Sequence, residues 1–458
     1  MNTYKGKKVL IWGLGLHGGG VGSAEYFAKA GSQVVVTDLK TEEILKKSVQ
    51  KLKKYKNISF VLGEHRKQDF MSSDIIVVGP GVPSTAPLMK VAKKSGARLV
   101  TDVEIFFENC NVPIFAVTGT KGKTTTTMLL YEMMQKKWRT RLGGNVRVSM
   151  LETLLKLQPK ERVVLELSSF QLESLHKIKQ SPHGSIVTNL SPDHMDRYKS
   201  LDEYYRAKFS IFQYQKKDDF VVLNYDVPAL RKAARGLYTQ VYWFSLKNSV
   251  PNGLCIEDGY VVSKQGNETK KLFAVSLVPL QGVHNVANVL AATQLALLAG
   301  ISLKKIIEAV KEFTGVDGRM QKVRVFNKRT FINDTTATVP ISTIVALNSF
   351  SEKLVLICGG SEKFLSFKEL VKTFPKHVRS LVLMDDKASY RILSEMKKCK
   401  VDVPYVFASS MKEAVKLAYK ESEPGETILL SPACASFGLF KNEFDRGDQF
   451  IEFVNQLK

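Results

Sequence analysis

An α/β chain of three successive domains, each built on a parallel sheet, is predicted for these 458 residues. Three observations carry the prediction. Short apolar runs alternate with helix-like segments along most of the length, as in doubly wound sheets. The alternation restarts near residues 110 and 316, and a chain of 458 exceeds what one core organises. Most apolar runs stop on glycine or small polar residues, which is how open α/β sheets form their ligand-bearing edge.

The first domain, residues 1–110, opens with KKVLIWGLG (7–15), a buried strand running into a glycine turn, and a helix over SAEYFAKA (23–30). QVVVTDL (33–39) is the next strand and ends on Asp38, while DIIVVGPGV (74–82) is stopped by Pro80-Gly81. The turn GLGLHGGGVGSA (13–24), with Asp38 beyond it, mimics a dinucleotide fingerprint. In that pattern glycines let backbone N–H groups approach phosphates and the acidic residue meets a ribose. Three readings stay open at Gly13 and Gly15: an NAD site, the phosphates of another nucleotide, or a structural turn. Extra glycines between Gly15 and the predicted helix count against the redox reading. His17 is a bystander or a phosphate contact.

The second domain, 111–316, has strands at VPIFAVTGT (112–120), RVVLELS (162–168), SIVTNLS (185–191) and FVVLNYD (220–226). Its first strand leads into Gly119, Thr120, Lys121, Gly122, Lys123, Thr124 and Thr125. Glycines let such a loop curl so that N–H groups face phosphate, and the following helix adds its positive end. Lys123 reaches β/γ-phosphates and the Thr124 hydroxyl joins a Mg²⁺ shell. The common spacing needs glycine where Val117 stands, so the loop is a compact variant that binds ATP or GTP. Glu166 closes one strand, and Asp193, His194 and Asp196 follow another, forming an expected metal and phosphate cluster. Mg²⁺ prefers oxygen, which makes Glu166 the natural ligand and His194 the less usual one. Lys208 lies in a helical segment, where a lysine is ordinarily solvated. QGVHNVANVLAA (281–292) places His284, Asn285 and Asn288 on the first turns of a helix. The apolar run 286–301 is too short and too polar for a membrane span, and reads as a buried helix.

The third domain, 317–458, has strands at TFINDTT (330–336), LVLICGG (354–360), SLVLMDD (380–386) and TILLSPA (427–433). Arg319 and Asp334 fall near its start, where a cleft between domains would lie. GGSEK (359–363) and SPACASFGLFKNEFDRG (431–447) repeat the pattern of small residues after a strand. Ser436 with His194 would suggest nucleophilic hydrolysis, but no G-x-S-x-G elbow surrounds it.

Lys and Arg outnumber Asp and Glu by 67 to 44, for a net charge of +23. The charges are dispersed, without a long basic arm, which points to anionic small molecules rather than nucleic acid. Five cysteines form no C-x-x-C pair, and the N-terminus shows no leader pattern. A cytoplasmic protein is expected.

In order along the chain, TGTKGKTTT, GGN (143–145), ELSSFQL, DHMDRY, YRAK, HNVAN, FTGVDGR, INDTTAT, GGSEK and SPACASFGLFKN resemble the Mur ligases. These are the ATP-dependent amino-acid ligases of peptidoglycan synthesis. The segment 77–107 is similar to the branch that adds D-glutamate to UDP-N-acetylmuramoyl-L-alanine. The resemblance implies a Rossmann-like first domain, a P-loop ATPase-like central sheet and a Rossmann-like third domain. It implies that Lys123 and Thr124 hold ATP phosphates and Mg²⁺, with Glu166 and His194 as the metal pair. Lys208 matches a lysine that is carbamylated and joins the metal, and Asn145 a residue near the transferred phosphoryl group. Asn285, Arg319 and Asp334 match ATP contacts on the adenine and ribose side. Lys363 and Ser436 match residues holding the D-glutamate carboxylates, while Gly13, Gly15 and Asp38 would meet the UDP part. A monomer without nucleic-acid or membrane partners is expected. The chain departs from the family's pattern at Gly318, usually His, and at Thr336, usually Lys. Gly438 and the shifted Phe444 also depart, and the first turn is longer than usual. Most of these changes surround the amino-acid pocket, so a Mur-type or folylpolyglutamate-type ligase with another acceptor is the near alternative. An NAD-dependent oxidoreductase is the distant one.

Overall fold

The structure is a computed structural model that describes every residue except Met1, His17, Ser84, Arg147, His194, Met195, Asp196, Gln281 and Phe437. The expectations for His17, His194 and Asp196 therefore lie outside the described residues. The chain divides into two compact units, Met1–Pro279 with Val283–Phe313, and Leu280–Gly282 with Thr314–Lys458. The first unit holds two sheets and the second holds one.

The N-terminal sheet comprises β1 (Lys8–Trp12), β2 (Gln33–Asp38), β3 (Ile58–Leu62), β4 (Ile75–Val78) and β5 (Arg98–Val100). Its order is β3-β2-β1-β4-β5, all parallel. The order reverses between β1 and β4, so the turn after β1 faces the crevice where such sheets take ligands. The helix that follows spans Gly19–Lys29, four residues earlier than the apolar pattern of 23–30 predicted. The extra glycines are thus its first turn rather than a longer loop. A Cβ on Gly20 would lie 2.4 Å from Leu14 O, so only glycine lets the helix begin that close to the strand end.

The central sheet comprises β6 (Ile114–Thr118), β7 (Thr140–Gly144), β8 (Arg162–Glu166), β9 (Gly184–Val187), β10 (Phe220–Asn224), β11 (Gln240–Phe244), β12 (Asn252–Glu257), β13 (Tyr260–Gln265) and β14 (Glu268–Ala274). The order is β14-β13-β12-β11-β10-β9-β6-β8-β7. β6 to β12 pair in parallel, as predicted for this domain, but β12, β13 and β14 form an antiparallel extension. β6 and β9 are buried along their whole length and β8 is nearly so, because helices cover both faces and leave no face for polar residues. The run read as a buried helix is one, Val283–Leu298. Among the described residues no helix is long and apolar enough to cross a membrane.

The C-terminal sheet comprises β15 (Gln321–Phe326), β16 (Arg329–Asn333), β17 (Leu354–Cys358), β18 (Val378–Met384), β19 (Tyr405–Ala408) and β20 (Thr427–Leu430). Its order is β15-β16-β20-β17-β18-β19, parallel except for the edge hairpin β15–β16. The loops after β16, β17 and β20 therefore emerge side by side from one end of the sheet.

Candidate active site

The phosphate loop joins the buried end of β6 to the helix Lys123–Gln135. Gly122 caps that helix with φ +79°, and a Cβ on it would stand 2.4 Å from Asn288 Oδ1. A Cβ on Gly119 would stand 1.9 Å from Thr188 Oγ1. Both glycines are thus required by close approach as well as by curvature. The end of β9 locks the loop from beneath. Thr188 Oγ1 and Asn189 Nδ2 donate to Lys121 O at 2.6 and 2.9 Å, and Lys121 N donates to Asn189 Oδ1 at 2.9 Å. Thr120 Oγ1 donates to Ser191 O at 3.1 Å and lies 3.3 Å from Tyr204 OH. Thr188, Asn189 and Tyr204 were missed from sequence; the polar Thr188-Asn189 pair at a strand end was the available signal.

Two lysines converge on one carbonyl. Lys123 Nζ donates to Gly119 O and Thr120 O, each at 3.2 Å. Lys208 Nζ donates to Gly119 O at 2.9 Å and sits 4.8 Å from the centre of the Tyr204 ring. Lys208 is not a solvated lysine: it is 2% exposed. Burial, reinforced by the Lys123 charge and opposed by Asp193 and Glu166, pulls its pKa down to about 7. Lys121 Nζ reaches Asp193 Oδ2 at 3.6 Å.

Glu166, buried at the end of β8, accepts at Oε1 from Asn145 Nδ2 at 2.7 Å. Asn145 N also donates to Glu166 O at 2.9 Å, which holds the turn after β7 against β8. The remaining carboxylate oxygen, Oε2, is buried with no hydrogen-bond partner among the described residues. A capping box between Ser168 and Gln171 starts the next helix two residues on and keeps Glu166 at the sheet edge. Thr124 and Thr125 occupy the first turn after the loop. Asn288 meets the same helix, its Oδ1 accepting from Thr126 Oγ1 at 3.1 Å, and its Nδ2 donates to Asn285 Oδ1 at 3.1 Å. In the first unit Lys123 and Lys208 share Gly119 O, Asn145 pairs with Glu166, and the Glu166 carboxylate lies near enough to act on the Lys208 charge.

Gly13, Gly15 and Asp38 meet at the N-terminal sheet. Asp38 Oδ2 accepts from Gly15 N at 3.0 Å and Oδ1 from Lys40 N at 2.9 Å, while Gly13 N donates to Thr37 O at 2.8 Å. The carboxylate is therefore organising its own turn.

In the second unit, Asp334 is buried after β16 and accepts from Ser431 Oγ at 2.9 Å and Met320 N at 3.3 Å. Burial outweighs these hydrogen bonds and the nearby Arg319, pushing its pKa up to about 7. Arg319 itself is exposed. Ser361 N donates to Ala435 O at 2.9 Å, which pairs the loop bearing Lys363 with the loop bearing the buried Ser436. Lys363 Nζ donates to Thr338 Oγ1 at 3.1 Å. Sequence reasoning missed Thr338, and also Arg446, a fully buried guanidinium whose pKa burial pulls to about 10. Arg446 donates to Thr335 Oγ1 and O and to the carbonyls of Cys434 and Ala435, clamping the loops after β16 and β20. Arginine in the first turns of an amphipathic helix is normally solvated, so nothing local announced it.

Three family models match in order: the Mur ligase MurD-like N-terminal domain at 7–101, the Mur ligase middle domain at 117–296 and the Mur ligase glutamate ligase domain at 318–434. Curated UDP-N-acetylmuramoylalanine–D-glutamate ligases from Roseiflexus sp. (strain RS-1) and Clostridioides difficile are 38% and 36% identical, each match covering 99% of both chains. The structure of UDP-N-acetylmuramate-alanine ligase from Thermotoga maritima superposes with a TM-score of 0.64 at 20% identity, over 99% of this chain and 100% of that one. A pseudomurein peptide ligase type C from Methanothermus fervidus gives 0.58 at 19%, over 99% and 100%. With three domain models spanning most of its length and full-length relatives above 30% identity, the chain belongs to the Mur ligase family.

Proposed function

We propose that this chain is an ATP-dependent ligase that adds D-glutamate to UDP-N-acetylmuramoyl-L-alanine, acting as a cytoplasmic monomer in peptidoglycan precursor synthesis. One observation carries the reading: Lys123, Lys208, Glu166 and Asn145 surround the phosphate loop of a chain matched end to end by D-glutamate ligases. The substrate carboxylate attacks the γ-phosphorus of ATP, the bond to ADP breaks, and an acyl phosphate forms. The amine of D-glutamate then attacks the acyl carbon, loses a proton, and the tetrahedral adduct expels phosphate to leave the amide. Such transfers are driven by positioning and charge neutralisation. Lys123 and the N–H groups opening its helix hold the phosphates, and Asn145 lies beside the transferred group. Asn285, Arg319 and Asp334 take the adenine and ribose, Lys363 and Ser436 the D-glutamate carboxylates, and Gly13, Gly15 and Asp38 the UDP part.

Glu166 Oε2, buried and without a hydrogen-bond partner among the described residues, fits a divalent cation, since a bare buried carboxylate oxygen is costly. Thr124, Glu166, His194 and a carbamylated Lys208 would hold Mg²⁺, which supplies charge neutralisation at the phosphates. With its pKa near 7, Lys208 has an abundant neutral amine that adds to carbon dioxide, forming an N–C bond and releasing a proton.

Phosphate release by the purified protein should require ATP, Mg²⁺, UDP-N-acetylmuramoyl-L-alanine and D-glutamate together. Amide formation with a different amino acid, and none with D-glutamate, would remove the substrate assignment and leave the ligase chemistry. One observation favours testing that second reading. Thr336 stands where the family usually has lysine, and its hydroxyl turns inward to donate to Gly318 O at 2.9 Å. Lys123→Ala should abolish turnover. Lys208→Ala should cripple it and regain activity with added short-chain carboxylic acids; absence of rescue would count against the carbamate.

A further inference from the structure

A hydrogen-bonded chain at the ends of β1 and β2 takes no part in the proposed chemistry. Trp12 ends β1 and is buried, and its Nε1–H donates to His65 Nε2 at 3.2 Å. His65 Nδ1 lies 2.7 Å from Thr37 Oγ1, and that hydroxyl donates to Glu64 O at 3.0 Å. One proton arrangement satisfies every group. An indole nitrogen only donates, so Nε2 accepts and the neutral ring carries its proton on Nδ1. The single Thr37 proton is engaged by Glu64 O, so its oxygen accepts from Nδ1–H. Two independent constraints thus select the same tautomer. Trp12 and Phe70 stand edge-on to the ring, at 6.0 and 6.2 Å between centres.

The imidazole ties three segments together: the end of β1, the end of β2 and the turn after β3. The residues assigned to the UDP part hang from that tie. Gly13 follows Trp12, and Asp38 follows Thr37. Gly63 N donates to Asp38 O at 2.9 Å, so the turn carrying His65 also grips the Asp38 backbone. A small change in spacing between the two strand ends would move the Asp38 carboxylate relative to Gly15 N.

We infer that His65 is a positioning residue for the UDP-binding turn, acting through Trp12 and Thr37 on Gly13 and Asp38. The inference rests on the assignment of Gly13, Gly15 and Asp38 to the UDP part. His65 touches no ligand in this scheme.

The test uses the full chain and four variants. His65→Gln keeps an acceptor for Trp12 and a donor for Thr37 on one amide. His65→Leu removes both, Trp12→Phe removes the donor while keeping a ring, and Asp38→Ala strips the proposed ligand group. Calorimetric titration with UDP is paired with steady-state kinetics. A lost buried hydrogen bond of about 1 kcal/mol or more corresponds to a several-fold to about tenfold weaker Kd. His65→Leu and Trp12→Phe should show that loss in UDP affinity and in KM for the UDP substrate. Their kcat and KM for ATP should stay within about twofold, and His65→Gln should stay close to the native protein. Unchanged UDP affinity in Asp38→Ala would show that the UDP site lies elsewhere. If Asp38→Ala weakens UDP while Trp12→Phe and His65→Leu do not, the positioning role is overturned. Equal loss in His65→Gln and His65→Leu, or parallel loss of UDP and ATP affinity, would also overturn it.

Discussion

Lys208 shows what burial does to a single charge. Its ammonium is removed from water, hydrogen-bonded to one carbonyl and repelled by Lys123. A depressed lysine pKa contributes stability that is fully present above the unfolded value of 10.5 and is lost as pH falls through about 7. Relative to the protein with a free amine at this position, replacing Lys208 by Met should therefore abolish turnover yet raise folding stability near pH 7, by about 1–4 kcal/mol as for buried ion pairs replaced by apolar groups. Chemical denaturation at pH 7 and pH 10 checks this, and the advantage should shrink at the higher pH. Asp334 runs the other way. Its raised pKa gives a contribution present below 3.8 and lost as pH rises through about 7. Asp334→Asn should gain on the native protein between pH 5 and pH 8; a constant difference would mean that the carboxyl is not held protonated.

At the scale of the element, the turn preceding β15 couples two of the family departures. Thr336 donates to Gly318 O from both its backbone N, at 3.1 Å, and its hydroxyl, at 2.9 Å. Gly318 has φ +69°, and a Cβ on it would come within 2.8 Å of Thr335 Cγ2. Gly318→Ala should cost about 1–3 kcal/mol, through left-handed strain and the clash, and should appear as a lower denaturation midpoint. Sequence marked both departures but not their contact, because a contact between a turn and a strand end leaves no periodic trace. The helix at Gly19 escaped for a related reason: propensity ranks glycine last in helices, while the close approach of Gly20 to Leu14 O requires it. Gly122, Lys123 and Glu166 were legible because a phosphate loop and a strand-end carboxylate are local patterns. Arg446 and Tyr204 were not, since their partners lie far away along the chain.

At the scale of the whole molecule, the buried strands β6, β8, β17 and β20 were legible as apolar runs. β11 to β14 were not anticipated; β14 reads ETKKLFA, half charged and lacking alternation. The second unit holds its own sheet and core, so Thr314–Lys458 made alone should melt cooperatively; a molten state would tie its folding to the first unit. The charge of +23 suits anionic reactants, and raising salt from about 0.05 to 0.5 M should raise KM for the UDP substrate while largely sparing kcat.

β14 ends the nine-stranded sheet, and no strand among the described residues pairs with its outer rim of N–H and C=O groups. Such a rim invites growth by addition of a second molecule's strand. Glu268, Thr269, Lys270 and Lys271 are all exposed there, and the register of β13 against β14 shifts at Val261/Val262. Charge and irregular pairing together make the rim a poor template. The antiparallel extension thus makes this edge of the central sheet a poor seam for self-association, and Lys270→Val with Lys271→Val should leave turnover intact while promoting light-scattering assemblies on storage.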